Sequence, residues 1–216
     1  MEFVLNEIEA RVLGSLMEKE LATPEYYPLS LNALLNACNQ KTNREPVVAY
    51  DEKTVARALE SLRAKQLVTV SGLSRVPKYE ENLVKPRNLL KREASALCVL
   101  LLRGPQTAGE IKGRTDRMHK YESLADVEEA IKVLEEIGFA RKLPRQPGQK
   151  ESRYAHLLMG EAQIPKEELV PRAEPAMQEV RAENERLAKL EADLESLRRD
   201  FEELKQAFLD FKKQFE

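Results

Sequence analysis

The 216-residue chain reads as a mainly α-helical protein with small β-hairpins. Three observations lead there. One pattern, three amphipathic helical stretches followed by two short alternating ones, occurs twice in succession. Ser, Asp and Asn residues stand just ahead of the apolar periodicity, where a helix start needs a side-chain acceptor. A C-terminal stretch, 176–216, carries apolar residues three and four apart without a break.

Taken in order, Asn6 with Glu9 three residues on has the form of a capping box, and Ile8, Val12 and Leu16 share one helical face. Prolines at 24 and 28 interrupt the pattern. Ser30 caps a second helix with Leu31, Leu34, Leu35 and Cys38 on one side. A polar loop, Asn39–Tyr50, follows, and Asp51 caps a third helix that turns Val55, Leu59 and Leu62 inward. Leu67–Ser71 and Lys78–Glu80 read as two strands around Gly72–Pro77.

The second copy starts with a helix over Lys91–Arg103, stopped by Gly104 and Pro105. A helix over Thr107–Met118 and one capped by Ser123, with Val127, Ile131 and Leu134 inward, come next. Phe139–Leu143 and Glu151–Leu157 flank a Pro-, Gly- and cation-rich turn. Val55, Leu59, Leu62 and Leu67 recur 72 positions on as Val127, Ile131, Leu134 and Phe139, and Asp51 recurs as Ser123. Glu9-Ala10 recurs 84 positions on as Glu93-Ala94, so the first copy carries 84 − 72 = 12 extra residues between its first and third helices. Leu34 falls opposite Ile111, and Tyr79 opposite Tyr154. A repeated unit of three helices and a hairpin is the plan of tandem winged helix-turn-helix domains. The expected division is 1–83 and 84–160 for the two domains, 161–175 for a linker with three prolines, and 176–216 for a coiled-coil helix.

Three blocks, YPLSLNALLNACNQKTNREPV (Tyr27–Val47), TVSG (Thr69–Gly72) and KESRYAHL (Lys150–Leu157), resemble the YceH-like family of bacterial proteins. The resemblance spans roughly residues 3–160 and a helical tail. It implies tandem winged helices and supplies no catalytic residue, cofactor or ligand.

Charge is segregated. Residues 84–160 hold 15 Lys/Arg against 10 Asp/Glu, while residues 161–216 hold 10 against 15, and the whole chain nets −2. A patch decides nucleic-acid binding more than a sum does. On the third helix Lys53, Arg57, Glu60, Ser61 and Ala64 are expected outward. Lys53 and Arg57 reach phosphates or base edges there, and Ser61 permits close approach. The same residues also fit an ordinary solvated face. In the loop, Asn39, Gln40, Lys41, Thr42, Asn43 and Arg44 carry amide and fork geometry suited to bases and phosphate, or serve the turn's own backbone. Tyr26 and Tyr27 either stack on a base or belong to the core. In the second copy the third helix is acidic (Glu128, Glu129, Glu135, Glu136), whereas Lys112, Arg114, Arg117 and Lys120 follow on the second helix. The hairpin carries Arg141, Lys142, Arg145, Lys150 and Arg153, which either track a phosphate backbone or keep the hairpin solvated.

In the tail, Leu187, Leu190, Leu194, Leu197, Phe201, Leu204, Phe208, Phe211 and Phe215 form a heptad seam. With Leu187 at an a position, the g–e′ pairs of a parallel dimer (Arg186–Glu191, Asp193–Arg198, Asp200–Lys205) are all opposite in charge, which points to self-association through a coiled coil. The alternative is an amphipathic helix folded back on its own domains. Catalytic patterns are missing: no phosphate-cradling Gly-rich loop, no GxSxG, no HExxH, and no zinc spacing between His119, His156 and the two cysteines. No enzymatic activity, metal or cofactor is expected. Cys38 and Cys98 sit among apolar helical residues, as reduced thiols of a cytoplasmic protein do, and the chain has neither an 18-residue apolar run nor a signal-peptide pattern. The expectation is a cytoplasmic, transcription-regulator-like homodimer that binds DNA. The competing expectation is a protein-interaction scaffold that uses the same domains on a protein partner.

Overall fold

The computed structural model describes residues 3–71, 76–145, 148, 149 and 151–160. The chain divides into a compact unit, Met1–Lys166, and a second unit, Glu167–Glu216, which lies outside the described residues. The expected linker, 161–175, and the seam from Leu187 to Phe215 also lie outside the described residues. Among the described residues the protein is mainly helical, with six helices and short antiparallel strands. The first copy comprises α1 (Glu7–Ala22), β1 (Leu29–Ser30), α2 (Leu31–Cys38), α3 (Glu52–Ala64), β2 (Val68–Ser71) and β3 (Lys78–Glu81). The second comprises α4 (Lys91–Arg103), α5 (Ala108–Arg114), α6 (Leu124–Glu136), β4 (Ala140–Lys142) and β5 (Tyr154–His156).

Each helix start has a local cause. Asn6 accepts from the Glu9 amide at 2.9 Å while the Glu9 carboxylate accepts from the Asn6 amide at 2.8 Å. Ser30, Asp51, Thr107 and Ser123 each accept from the amide three residues on. Ser30 and Thr107 lie 77 positions apart, as do Leu34 and Ile111, both fully buried. The repeat is therefore carried by caps as well as by core positions.

Two details differ from the sequence reading. A short strand, β1, precedes α2 and pairs with β3, giving the order β1-β3-β2, with Leu29 opposite Tyr79. Its echo is a single bridge between Gln106 and Tyr154, whose amides donate to each other's carbonyls at 2.9 and 2.7 Å. Helix α5 stops at Arg114, four residues short of the expected Met118, because the buried Thr115 turns its hydroxyl back onto the Ile111 and Lys112 carbonyls.

The two copies share one core. Buried residues of both halves form a single hydrophobic cluster in which α1 lies against α4. Gly14 makes the approach possible: a Cβ there would stand 3.0 Å from a Leu102 methyl and 3.1 Å from the Leu101 Cβ. The Cys98 thiol donates to the Gly14 carbonyl at 3.4 Å. Gly14 and Cys98 are 84 positions apart, the repeat spacing of the first helices, so equivalent positions of the two copies meet each other. Contact between equivalent positions is what a local two-fold requires. Both cysteines are free and buried, and burial raises both thiols above their usual range.

Candidate nucleic-acid interface

The exposed face of α3 is narrower than the helical wheel suggests. Lys53 and Arg57 are exposed, and neither forms an ion pair with a described residue. Ser61 is half-buried on the flank of α3. Glu9, almost fully buried, takes Lys65 at 2.6 Å and the Asn6 amide at 2.8 Å, and such bonds outweigh its desolvation and hold its carboxyl below the ordinary range. Half-buried, Ser61 is removed from the outward set.

The loop after α2 divides into two kinds of residue. Asn39 closes the loop on itself: its amide donates to the Tyr50 carbonyl and its carbonyl accepts from the Tyr50 amide, both at 2.8 Å. Arg44 points inward. Its side chain has no solvent exposure, makes a bidentate pair with Glu18 at 2.5 and 3.1 Å, and donates to the carbonyls of Ala37 and Asn43. Asn43 adopts a positive φ of 60°, which Asn tolerates, and accepts from Arg103. Arg44, Asn39 and Asn43 therefore build the loop. Gln40 and Lys41 remain on its outside, Lys41 exposed. Tyr27 also does structural work, since its hydroxyl accepts from the Glu81 amide at 2.5 Å, whereas Tyr26 is exposed.

Between this loop, the C-terminal ends of α1 and α4, and the end of α5 lies a cleft of about 300 Å³. Lys19, Lys41, Arg103, Arg114 and Arg117 line it, together with Glu18, whose charge Arg44 already offsets. Arg114 reaches Glu110 only at 3.8 Å, and its Nη1 is sealed from solvent with no partner among the described residues. Burial and the neighbouring Arg114 push Arg103 below the ordinary guanidinium value. Cations held this close favour a polyanion. Sequence reasoning picked out Arg114, Arg117 and Lys41 but missed Lys19 and Arg103. A signal existed, since Lys19 and Arg103 are themselves 84 positions apart, in the last turns of the two equivalent helices.

In the second hairpin Arg141, Lys142 and Arg145 are exposed. The Lys142 ammonium lies 5.7 Å from the centre of the Tyr154 ring, and the Arg145 Nε donates to the Gln149 carbonyl at 2.6 Å. Arg153 faces back, donating to Glu110 at 3.0 Å and to the Pro105 carbonyl at 2.9 Å, so it ties β5 to α5. Lys150 lies outside the described residues. The outward side of α6 shows Glu128, Glu129 and Glu136. Among the described residues no helix is long and apolar enough to cross a membrane.

Comparison with known proteins places the chain in a family. Residues 5–149 match the family described as "Protein of unknown function, DUF480". A UPF0502 protein of Solibacter usitatus is 53% identical, one of Geotalea uraniireducens 52%, and one of Geobacter sulfurreducens 50%, each alignment covering the whole of both chains. In keeping with the YceH-like resemblance, the chain belongs to the DUF480/UPF0502 family of bacterial proteins.

Proposed function

We propose that this is a cytoplasmic, regulator-like DNA-binding protein built from two winged-helix domains and paired with a second copy through its C-terminal heptads. The winged-helix reading is supported by the repeated order of helices and strands and by a short strand ahead of α2 that joins the hairpin in the first copy and is reduced to one bridge in the second. The observation that carries DNA binding is the cleft lined by Lys19, Lys41, Arg103, Arg114 and Arg117 with one neutralised carboxylate among them. Phosphate contacts fall to that cleft and to Arg141, Lys142 and Arg145. Lys53 and Arg57, free on α3, take base edges or phosphates. No catalytic role is proposed.

Titrating a labelled duplex at rising salt tests this. Each phosphate neutralised adds about −0.9 to the slope of log K against log salt. Arg114→Ala with Arg117→Ala should flatten the slope by roughly 1–2, and Lys53→Glu with Arg57→Glu should remove most of the affinity. An absence of binding at low salt, or affinity indifferent to salt, refutes the proposal. One observation favours a second reading, the acidic outward side of α6, which suits a basic protein surface better than phosphates. A protein partner that survives nuclease treatment and the Lys53/Arg57 reversal would support that reading.

A further inference from the structure

A second cavity, distinct from the cationic cleft, lies between the first turns of α1, the Glu45–Tyr50 segment, the α4–α5 turn and the end of β5. Its volume is about 310 Å³, at the small end of ligand sites. Its walls are largely apolar, with Pro46, Val48, Leu101 and Met159 contributing, and the buried Arg11 and half-buried His156 add polar groups.

Arg11 is the anomaly. It is 4% exposed, yet among the described residues its guanidinium is met only by carbonyls, those of Pro46 at 2.7 Å and Cys38 at 3.3 Å. The other buried guanidinium, Arg44, has Glu18 as its counter-charge, and Arg11 has no such carboxylate. Each terminal nitrogen of Arg11 has one carbonyl acceptor, and neither meets a carboxylate among the described residues. Burial holds Arg11 below the ordinary guanidinium value. Desolvating a cation without an anion is costly, so a site that keeps one beside an apolar cavity is prepared for a charge to arrive with its ligand. His156 adds hydrogen-bonding capacity without a second charge: burial lowers its pKa to about 4, and its Nδ1 has no partner among the described residues. Glu7 and Glu45 are exposed at the edge, where they disfavour polyanions and leave a single buried cation as the attractive point.

We infer that this cavity is an effector site for a small monocarboxylate with an apolar body, its carboxylate held by Arg11 and its hydrocarbon by Pro46, Val48, Leu101 and Met159. The volume admits on the order of ten non-hydrogen atoms. Because α1 and the Glu45–Tyr50 segment belong to the first copy and Leu101, Pro105 and His156 to the second, a bound carboxylate contacts both. This inference does not depend on DNA being the partner.

Isothermal titration calorimetry of the full chain with 3-phenylpropionate, its uncharged analogue 3-phenylpropan-1-ol and inorganic phosphate tests it. The carboxylate should saturate with a Kd of roughly 0.1–1 mM, and the alcohol should bind at least about tenfold more weakly, the contribution of a hydrogen bond to a charged group. Phosphate should not compete. Val48→Trp, which fills the cavity from an irregular segment without touching Arg11, should abolish binding while leaving the melting temperature within a few degrees. Arg11→Met risks the loop it holds, so its result counts only where the circular dichroism spectrum is unchanged, and there it should equalise acid and alcohol. Failure of 3-phenylpropionate to saturate by about 10 mM, equal binding of the alcohol, or undiminished binding by a folded Val48→Trp protein overturns the assignment.

Discussion

Replacing Glu18 with alanine should cost this fold about 3–5 kcal/mol, because it strands a buried guanidinium. The asymmetry of the pair supports that figure. The Arg44 side chain has no exposure, whereas Glu18 keeps 13%. Without the carboxylate, Arg44 retains its carbonyl partners at Ala37 and Asn43 but has no counter-charge. The reverse change, Arg44→Ala, leaves a carboxylate that is partly wetted and 3.7 Å from Lys19, so its electrostatic penalty is smaller. At roughly 2–4 °C per kcal/mol for a domain of this size, Glu18→Ala should lower the melting temperature by roughly 6–20 °C. Urea denaturation followed by circular dichroism measures the loss directly. The double change Glu18→Leu with Arg44→Met should recover most of it, since matched apolar residues often replace a buried pair without loss. Glu18→Ala within 1 kcal/mol of the parent, or Arg44→Met that spares stability while weakening DNA binding, would refute this account and return Arg44 to the surface.

Helix packing and a buried carboxylate give two further expected outcomes. Gly14→Ala should destabilise by about 1–3 kcal/mol despite the better helix propensity of alanine, because its Cβ meets Leu101 and Leu102 at 3.0–3.1 Å; a lowered urea midpoint at unchanged m is the expected reading. Glu20 is raised from 4.5 to about 7 by burial first and by the neighbouring Glu81 second. Between those values the folded chain holds a proton that the unfolded chain releases, so stability should fall as pH rises from 4.5 to 7. Glu20→Gln should remove that decline and gain about 1–2 kcal/mol at pH 8 after allowing for solvent screening, as measured by urea midpoints across pH.

Much of the architecture was legible in local chemistry. Asn6, Ser30, Asp51 and Ser123 announce helix starts through their own side chains, and all four cap where expected. The core positions Val55, Leu59 and Leu62 and their counterparts Val127, Ile131 and Leu134 are almost fully buried, as a period near 3.6 requires. The interface was less legible. Arg44 and Lys41 are three residues apart in one polar run, and nothing in that run says that one turns in to meet a carboxylate 26 positions away. Strand β1 escaped notice because two residues are too few to show alternation.

Periodicity, capping and the doubled pattern are properties of neighbouring residues, so the order of amino acids was sufficient to specify six helices, a repeated unit and membership of a bacterial family. Which charges face outward is a property of distant residues brought together. Gly14 lets α1 settle on α4, that packing gathers Lys19, Arg103 and Arg114 around one cleft, and it leaves Arg11 buried beside another. Only the folded chain made those choices, because Coulomb interactions and burial depend on separation in space, and separation along the chain does not report it.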